Sequence, residues 1–395
     1  MRSWRRRMST DGKLSGIRAA GVHTYFGGFH RSLEADTEWL GSAESWSPAI
    51  RARRLAGLPT LNHPGLTPHA ELVVSNPPCS RFSAMSTGTY SEDHKTKLGS
   101  FCELEDAVLF AERVRCRAFW WETGPLLWTK GRELVRAVHR HWAERWGGCT
   151  TVAVKLDVRW TGVPQRRPRC HVVHVAGDRE VPCVAPSAWP LGQPALLWAR
   201  DRVASQGWGS DPAGWDQVKP VGAYRKMTAL AYYEMCMLIS EFIATRPQLV
   251  GLQDHFTNAV LSGRPMICDE EDRFVSWQEY AALMCLPLEM VRPVAEEQGG
   301  WQALMMMSKG VCPAASRWVA DCVVAPLMGL APYEDDLELV ARGAPKRVEV
   351  GGPGGDVGWL EAVAPDWPRR RSAYGEDHRK AIPLKDQSCP KRTWE

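Results

Sequence analysis

The sequence predicts an α/β fold, a sheet with helices on both faces, and three observations carry that expectation. Short apolar runs alternate with segments of helical period between residues 20 and 180. The run Leu72 to Val74 is halted by Asn76-Pro77-Pro78, which must leave the sheet because proline has no ladder donor. An earlier run, from Val22, ends in Gly27-Gly28 and opens into a helix from His30 to Ala35. Glu44, Cys79 and Glu122 each fall where such a run stops. In open α/β sheets, ligands gather at the carboxyl ends of strands.

The elements follow in order. Residues 1–18 are polar and basic and read as disordered. Leu40 to Ala43 is a short strand ending at Glu44, ahead of Ser47-Pro48. An acidic residue at that place commonly takes ribose hydroxyls in nucleotide-type folds; a solvent-facing glutamate is the alternative. Leu72 to Val74 is a buried strand, and Cys79 stands on the stiff loop after it. Such a cysteine is either a small buried residue or a presented nucleophile. Residues 84–100 are small and polar and read as a mobile loop. Residues 101–115 form a helix, with Leu104, Val108, Ala111 and Val114 at helical spacing. Arg117 to Trp121 is a strand ending at Glu122, and residues 131–146 are a helix capped by Gly147. Val152 to Val158 and Cys170 to Val175 are further strands. Residues 181–224 lose all period, and 226–246 return to a helix. Ser276 and Glu279 form a capping box that opens a helix reaching Leu286-Pro287. A helix runs from Pro313 to about Leu327. Residues from 331 onward are rich in Pro, Gly, Arg and Asp and read as a loosely ordered tail.

Composition narrows the class. A chain of 395 residues allows about two to three domains. The net charge of +4 excludes a generally basic nucleic-acid coat. Positive charge is instead local, at Arg5 to Arg7, Arg51 to Arg54, Arg166 to Arg169 and Arg369 to Arg371. A basic stripe on one face would suit a phosphate backbone. The 12 cysteines form no Cys-x-x-Cys pair, so the expectation is a reducing, cytoplasmic setting with no metal site. No apolar run approaches a membrane span, and no apolar core follows the basic start.

Three stretches together resemble the DNA cytosine-5 methyltransferases. Asn76-Pro77-Pro78-Cys79 resembles that family's Pro-Cys motif. Trp121-Glu122-Thr123-Gly124 is similar to its Glu-Asn-Val strand end, and Gln165-Arg166-Arg167-Pro168-Arg169 to its Gln-x-Arg-x-Arg motif. They occur in the family's order. Tyr25-Phe26-Gly27-Gly28-Phe29 resembles the family's cofactor loop, departing at Gly21, His23 and Tyr25, where the family has Asp, Phe and Gly. Thr123, Gly124 and Asn76 also depart, from Asn, Val and Gly. The segment Ser308 to Pro313 resembles the closing motif that completes the cofactor pocket.

The resemblance implies a Rossmann-like methyltransferase sheet with a small inserted recognition domain. Residues 19–180 would be catalytic, 181–270 target-recognising, and 271–330 the closing helices. It implies S-adenosylmethionine as donor, held by Tyr25, Phe26, Gly27, Gly28, Phe29, Glu44, Asn76, Pro78 and Lys309. The partner would be double-stranded DNA and the protein a monomer of a bacterium or its virus. Cytosine C5 is a poor nucleophile. A Cys79 thiolate adding at C6 of a base flipped from the duplex would convert the ring to an enamine. Glu122 would protonate or hydrogen-bond N3. Arg167 and Arg169 would hold the O2 side and nearby phosphates, with Gln165 orienting them. A base would then remove the C5 proton and Cys79 would leave.

Lys309 stands where the family has Asn, near the donor's transferable carbon. An ammonium beside a sulfonium is unfavourable, whereas a carboxylate on the transferred carbon would pair with it. That suggests carboxy-S-adenosylmethionine as donor, beside the plain methyl reading. A non-catalytic DNA-binding relative is the alternative outside chemistry.

Overall fold

A computed structural model describes residues 14–61, 69–82, 101–179, 193–209, 248–260, 266–268, 270–271, 273–330, 346–347 and 357–362. The expected loop at 84–100 and helix at 226–246 lie outside them. The described residues fall within one compact unit, Met1–Ala364.

Among the described residues the main sheet has eight strands, in the order β12-β13-β5-β7-β4-β3-β1-β2. In chain order these are β1 (Ile17–Val22), β2 (Thr37–Ala43), β3 (Leu72–Ser75), β4 (Ala118–Thr123), β5 (Cys149–Asp157), β7 (Pro168–Ala176), β12 (Lys346–Arg347) and β13 (Val357–Ala362). Strands β2, β1, β3 and β4 run parallel to one another. Strand β7 runs antiparallel between β4 and β5. The expected α/β architecture is thus present.

The central strands read as unbroken apolar runs because both faces are covered. In β4, Trp120 packs into one core cluster and Phe119 and Trp121 into the other. Val74 and Val73 divide in the same way. The first face is covered by α1 (Gly28–Leu33) and a late group of helices: α7 (Trp277–Leu283), α8 (Leu288–Gln298), α9 (Gly300–Lys309) and α10 (Pro313–Val319). The second is covered by α3 (Cys102–Arg113) and α5 (Arg132–Trp146). Helix α5 ends where expected, with Gly147 at φ 71°. Short helices α2 (Ser47–Leu55) and α4 (Leu127–Lys130) follow β2 and β4.

Between β7 and α7, the described residues form α6 (Ala195–Ala204) and the strands β8 (Gln248–Val250), β9 (Thr257–Asn258), β10 (Met266–Cys268) and β11 (Arg273–Phe274). Strands β11, β10 and β8 make a small separate sheet, and β9 pairs with β6 (Gln165–Arg166).

Three details differ from expectation. The capping box at Ser276 and Glu279 is present, but its helix stops at Leu283, and Cys285 then takes φ 56°. The expected helix from Pro313 is α10, followed by a wider π turn over Ala320–Val324 and a short α11 (Ala325–Leu327). Pro326 has no N–H to donate into an α-helical ladder, which explains the loosening. Within the stretch read as a loose tail, β13 joins the main sheet beside β5. Trp359 of β13 packs edge-on against Trp128 at 5.2 Å, and Lys155 pairs with Glu361 at 2.7 Å.

Candidate active site

The site lies at the carboxyl ends of β2, β3 and β4. Strands β3 and β4 run in register, Ser75 opposite Trp121, so the residues that follow them emerge side by side. After β3, the chain leaves the sheet at Asn76 and makes a tight 3-10 turn over Cys79–Phe82. This turn sits on Gly124: a Cβ at Gly124 would lie 2.3 Å from the Phe82 carbonyl oxygen and 3.1 Å from that of Cys79. The lack of a side chain at Gly124 is therefore what lets the cysteine turn approach the end of β4. Cys79 is half-buried and free.

Glu122 is 2% exposed. Its Oε1 lies 3.1 Å from Arg169 Nε, too poorly aligned for a hydrogen bond. Burial pushes the Glu122 carboxyl up to about 7, with Arg169 and then Arg167 opposing the rise. Cys79 and Glu122 both act electrostatically on Arg167 and on Tyr25, so the thiol and the acid share one neighbourhood.

The arginine motif divides its labour differently from the expectation. Arg169 faces Glu122. Arg167 is 2% exposed, and its fork donates to the main-chain carbonyls of Val260 at 2.7 Å, Ser308 at 2.9 Å and Gly310 at 2.9 Å. Gln165 is fully buried; its amide donates to the Leu283 carbonyl at 2.8 Å and its oxygen accepts from the Val260 N–H at 3.2 Å. These partners are all main-chain groups. Both side chains stitch the closing helices to the sheet.

At the same end of the sheet, β2 delivers Glu44. One carboxylate oxygen accepts from Ser42 at 2.9 Å and Thr24 at 3.2 Å. The other is buried and has no hydrogen-bond partner. Burial raises the Glu44 carboxyl, and Arg53 opposes it. Arg53 is fully buried and donates to Thr24 at 3.0 Å, the Tyr25 carbonyl at 3.2 Å and the Pro59 carbonyl at 2.7 Å. Its place in the basic run Arg51 to Arg54 had suggested a surface residue.

His23 and Tyr25 have φ of 54° and 50°. Tyr25 takes a glycine-like backbone, with its carbonyl held by Arg53. That conformation costs on the order of 1 kcal/mol or more and is characteristic of functional loops. The Tyr25 ring meets Trp46 edge-on at 5.9 Å, and Lys309 Nζ stands 4.0 Å from the centroid of that same Trp46 ring. Burial lowers the Lys309 ammonium, with Cys79 opposing. Asn76 donates to the Lys309 carbonyl at 2.8 Å. Gly28 lies against the closing segment, where a Cβ would be 1.9 Å from the Val311 carbonyl oxygen.

The structure thus brings Tyr25, Gly27, Gly28, Glu44, Asn76, Pro78, Cys79, Glu122, Arg169 and Lys309 to one end of the sheet. Phe26 and Phe29 go elsewhere: both are fully buried in the core, Phe29 edge-on to Trp120 at 4.7 Å. Thr24, Trp46 and Arg53 were missed from sequence. Trp46, two residues beyond a strand-ending acid and just before Ser47-Pro48, carried the nearest thing to a signal.

Among the described residues no cluster of three His, Cys, Asp or Glu side chains could hold a metal ion. None of their helices is long and apolar enough to cross a membrane.

No protein-family model matches the sequence, and no curated protein matches it. Solved structures do. The Entamoeba histolytica methyltransferase EhMeth superposes with a TM-score of 0.52 at 9% identity, covering 78% of this chain and 97% of that one. A mutant of Spodoptera frugiperda DNMT2 gives 0.51 at 14% identity, covering 76% and 98%. At such identities the likeness is one of fold. The chain carries the Rossmann-like fold of these methyltransferases.

Proposed function

We propose that this protein alkylates cytosine C5 in double-stranded DNA through a covalent Cys79 adduct, with a donor of the S-adenosylmethionine type. The observation that carries the reading is the pairing of a half-buried thiol with a buried carboxyl at the ends of adjacent strands. A carboxyl with its titration raised to about 7 is protonated in a large fraction at neutral pH and can donate to N3. Addition of the Cys79 sulfur at C6 places negative charge on the ring, and Glu122 takes it up at N3. Arg169, beside Glu122, sets how readily that proton is given. Gln165 and Arg167 act as positioning residues that hold the closing helices over the site.

The donor side fits a nucleoside cofactor. The buried, unpartnered oxygen of Glu44 suits a ribose hydroxyl, and the turn at Gly28 leaves no room for a side chain. When bound, the donor supplies an electrophilic carbon. Tyr25 and Trp46, edge-on to each other, would flank it, and Asn76 fixes the main chain at Lys309.

The placement of Lys309 supports a second, finer reading. Its ammonium lies on the Trp46 face within electrostatic reach of Cys79. A cation there disfavours a sulfonium and favours a carboxylate, hence carboxy-S-adenosylmethionine and a 5-carboxymethylcytosine product. Incubating the enzyme with DNA and each donor, then weighing the digested nucleosides, tests this. A product heavier only by a methyl group when both donors are present overturns the carboxymethyl reading and leaves the methyl reading standing.

The adduct has its own test. Wild-type protein should be trapped on DNA containing 5-fluorocytosine, and Cys79→Ser should not. DNA binding with no adduct would mean a non-catalytic relative.

A further inference from the structure

Two Trp–His pairs cross the centre of the main sheet, one on each face. On the second face, Trp121 donates to His174 Nε2 at 3.1 Å, and His174 Nδ1 lies 2.7 Å from the Thr151 hydroxyl. Both ring nitrogens are thus engaged. On the first face, Trp120 donates to His171 Nδ1 at 3.2 Å, but His171 Nε2 is buried with no hydrogen-bond partner among the described residues. An indole N–H can only donate, so His171 Nδ1 is the acceptor and the neutral ring carries its proton on Nε2. Trp120 is itself packed edge-on against Phe29 at 4.7 Å, so the imidazole is set against a fixed indole.

The residue directly opposite His171 in the β4–β7 ladder is Glu122. Residues so paired on antiparallel strands project from the same face, with Cβ atoms about 4.5–5.5 Å apart. His171 is 0% and Glu122 2% exposed, so both are shielded from bulk water. Each carries one unsatisfied atom, and the two are complementary: a donor at His171 Nε2 and an acceptor at Glu122 Oε1. On the other side of His171, its partner in β5 is the apolar Val154. The charges facing the pair are Arg169, with Nε 3.1 Å from Glu122 Oε1, and then Arg167. Tyr25 of the glycine turn and Cys170 of β7 are titratable neighbours that feel the Glu122 charge. Burial, with Arg169 adding to it, pushes the imidazole down to about 3, so it stays neutral near pH 7.

We propose that His171 is a positioning residue for the candidate acid: its Nε2–H donates to the Glu122 carboxylate that is left when the acid gives its proton to N3. The proposal rests on the reading of Glu122 as that proton donor. The imidazole keeps its own proton throughout, so one proton passes from Glu122 to the base and no other group changes charge. Hydrogen bonds around a resting catalytic group are often long and tighten as charge develops. A neutral donor favours the carboxylate less than a further cation would, so the acid still holds its proton before the base arrives.

The test titrates the Glu122 carboxyl of the full chain, without DNA, by infrared difference spectroscopy, its C=O band assigned by loss in Glu122→Gln. His171→Phe keeps the ring volume and removes the donor, whereas His171→Gln keeps an acceptor for Trp120 and a donor for Glu122. The midpoint should rise by about one pH unit in His171→Phe and stay near the wild-type value in His171→Gln. On DNA, kcat on the low-pH plateau should fall roughly tenfold in His171→Phe, with KM for DNA unchanged, and recover in His171→Gln. A second measurement needs no destabilised variant. The Nε2 proton resonance of His171, assigned with 15N-labelled histidine, should move as pH passes through the Glu122 midpoint in wild type and stay still in Glu122→Gln. An unmoved carboxyl midpoint in folded His171→Phe, or a His171 resonance blind to that midpoint, overturns the proposal whatever happens on DNA. If both respond as expected but wild type forms no adduct on DNA containing 5-fluorocytosine, the cytosine reading fails and the link between His171 and Glu122 stands.

Discussion

Asn76 and Lys309, 233 positions apart, are joined by one hydrogen bond: the Asn76 side-chain amide donates to the Lys309 carbonyl at 2.8 Å. It links the segment between β3 and Cys79 to the last residue of α9. Asn76→Ala removes the donor and leaves a carbonyl without its partner, at a cost of about 1–3 kcal/mol. Urea unfolding should show that loss, and titration with S-adenosylhomocysteine should show weaker binding. Unchanged binding would mean the bond serves the fold alone.

Glu122 predicts a pH signature. Its carboxyl is protonated below about 7 and can donate to N3; above that it is charged and cannot. The kcat/KM for DNA should therefore fall as pH rises through about 7. Arg169→Gln removes the nearest opposing charge, so the falling limb should move to higher pH. A limb that stays in place in Arg169→Gln would assign it to another group.

The same carboxyl affects stability. Its folded value lies above its ordinary 4.5, so between 4.5 and about 7 the folded state binds more protons than the unfolded one. The contribution is fully present below that window and is lost as pH rises through it. Unfolding free energy measured across this range should fall in wild type and fall less in Glu122→Gln.

Arg167→Met leaves three buried carbonyls, of Val260, Ser308 and Gly310, without their donors. We expect a loss of roughly 3–5 kcal/mol, measured by urea unfolding. Arg167→Lys should restore little of it, since an ammonium has no planar fork. Near-normal stability in Arg167→Met would contradict the stitching role.

Gly28→Ala forces a methyl group against the Val311 carbonyl. Backbone must shift, so the variant should lose about 1–3 kcal/mol. Its affinity for S-adenosylhomocysteine should also drop, because the turn and the closing segment would separate. Calorimetric titration beside a melting curve reads both.

Much of this was legible in the sequence, for identifiable reasons. Strands β3 and β4 announced themselves as unbroken apolar runs because they are buried on both faces. Gly147 and the Ser276–Glu279 box marked helix ends through local hydrogen bonding alone. Cys79 and Glu122 stood out because strand ends are punctuated by residue type, whereas Arg169 was singled out only by its place in the Gln-x-Arg-x-Arg resemblance. Arg53 was hidden because a charged residue in a basic run looks solvated; only tertiary structure reveals Glu44 and three oxygen acceptors around it. Arg167 was recognised but given another task, since sequence shows a guanidinium without its partners. Helices α8 and α9 fall within the closing helices expected over 271–330, but their separate bounds were not read, with Pro293 lying inside α8. Strand β13 was masked by its Pro- and Gly-rich surroundings.

The contact between Gly28 and Val311 has a consequence for biosynthesis. The glycine turn leaves the ribosome early, and the carbonyl it packs against emerges only after nearly all the helices are made. Until then the nascent chain exposes an unfinished cradle beside its thiol. The finished cradle is therefore withheld from truncated translation products, and a prematurely terminated copy that stops short of Val311 has no means of completing it.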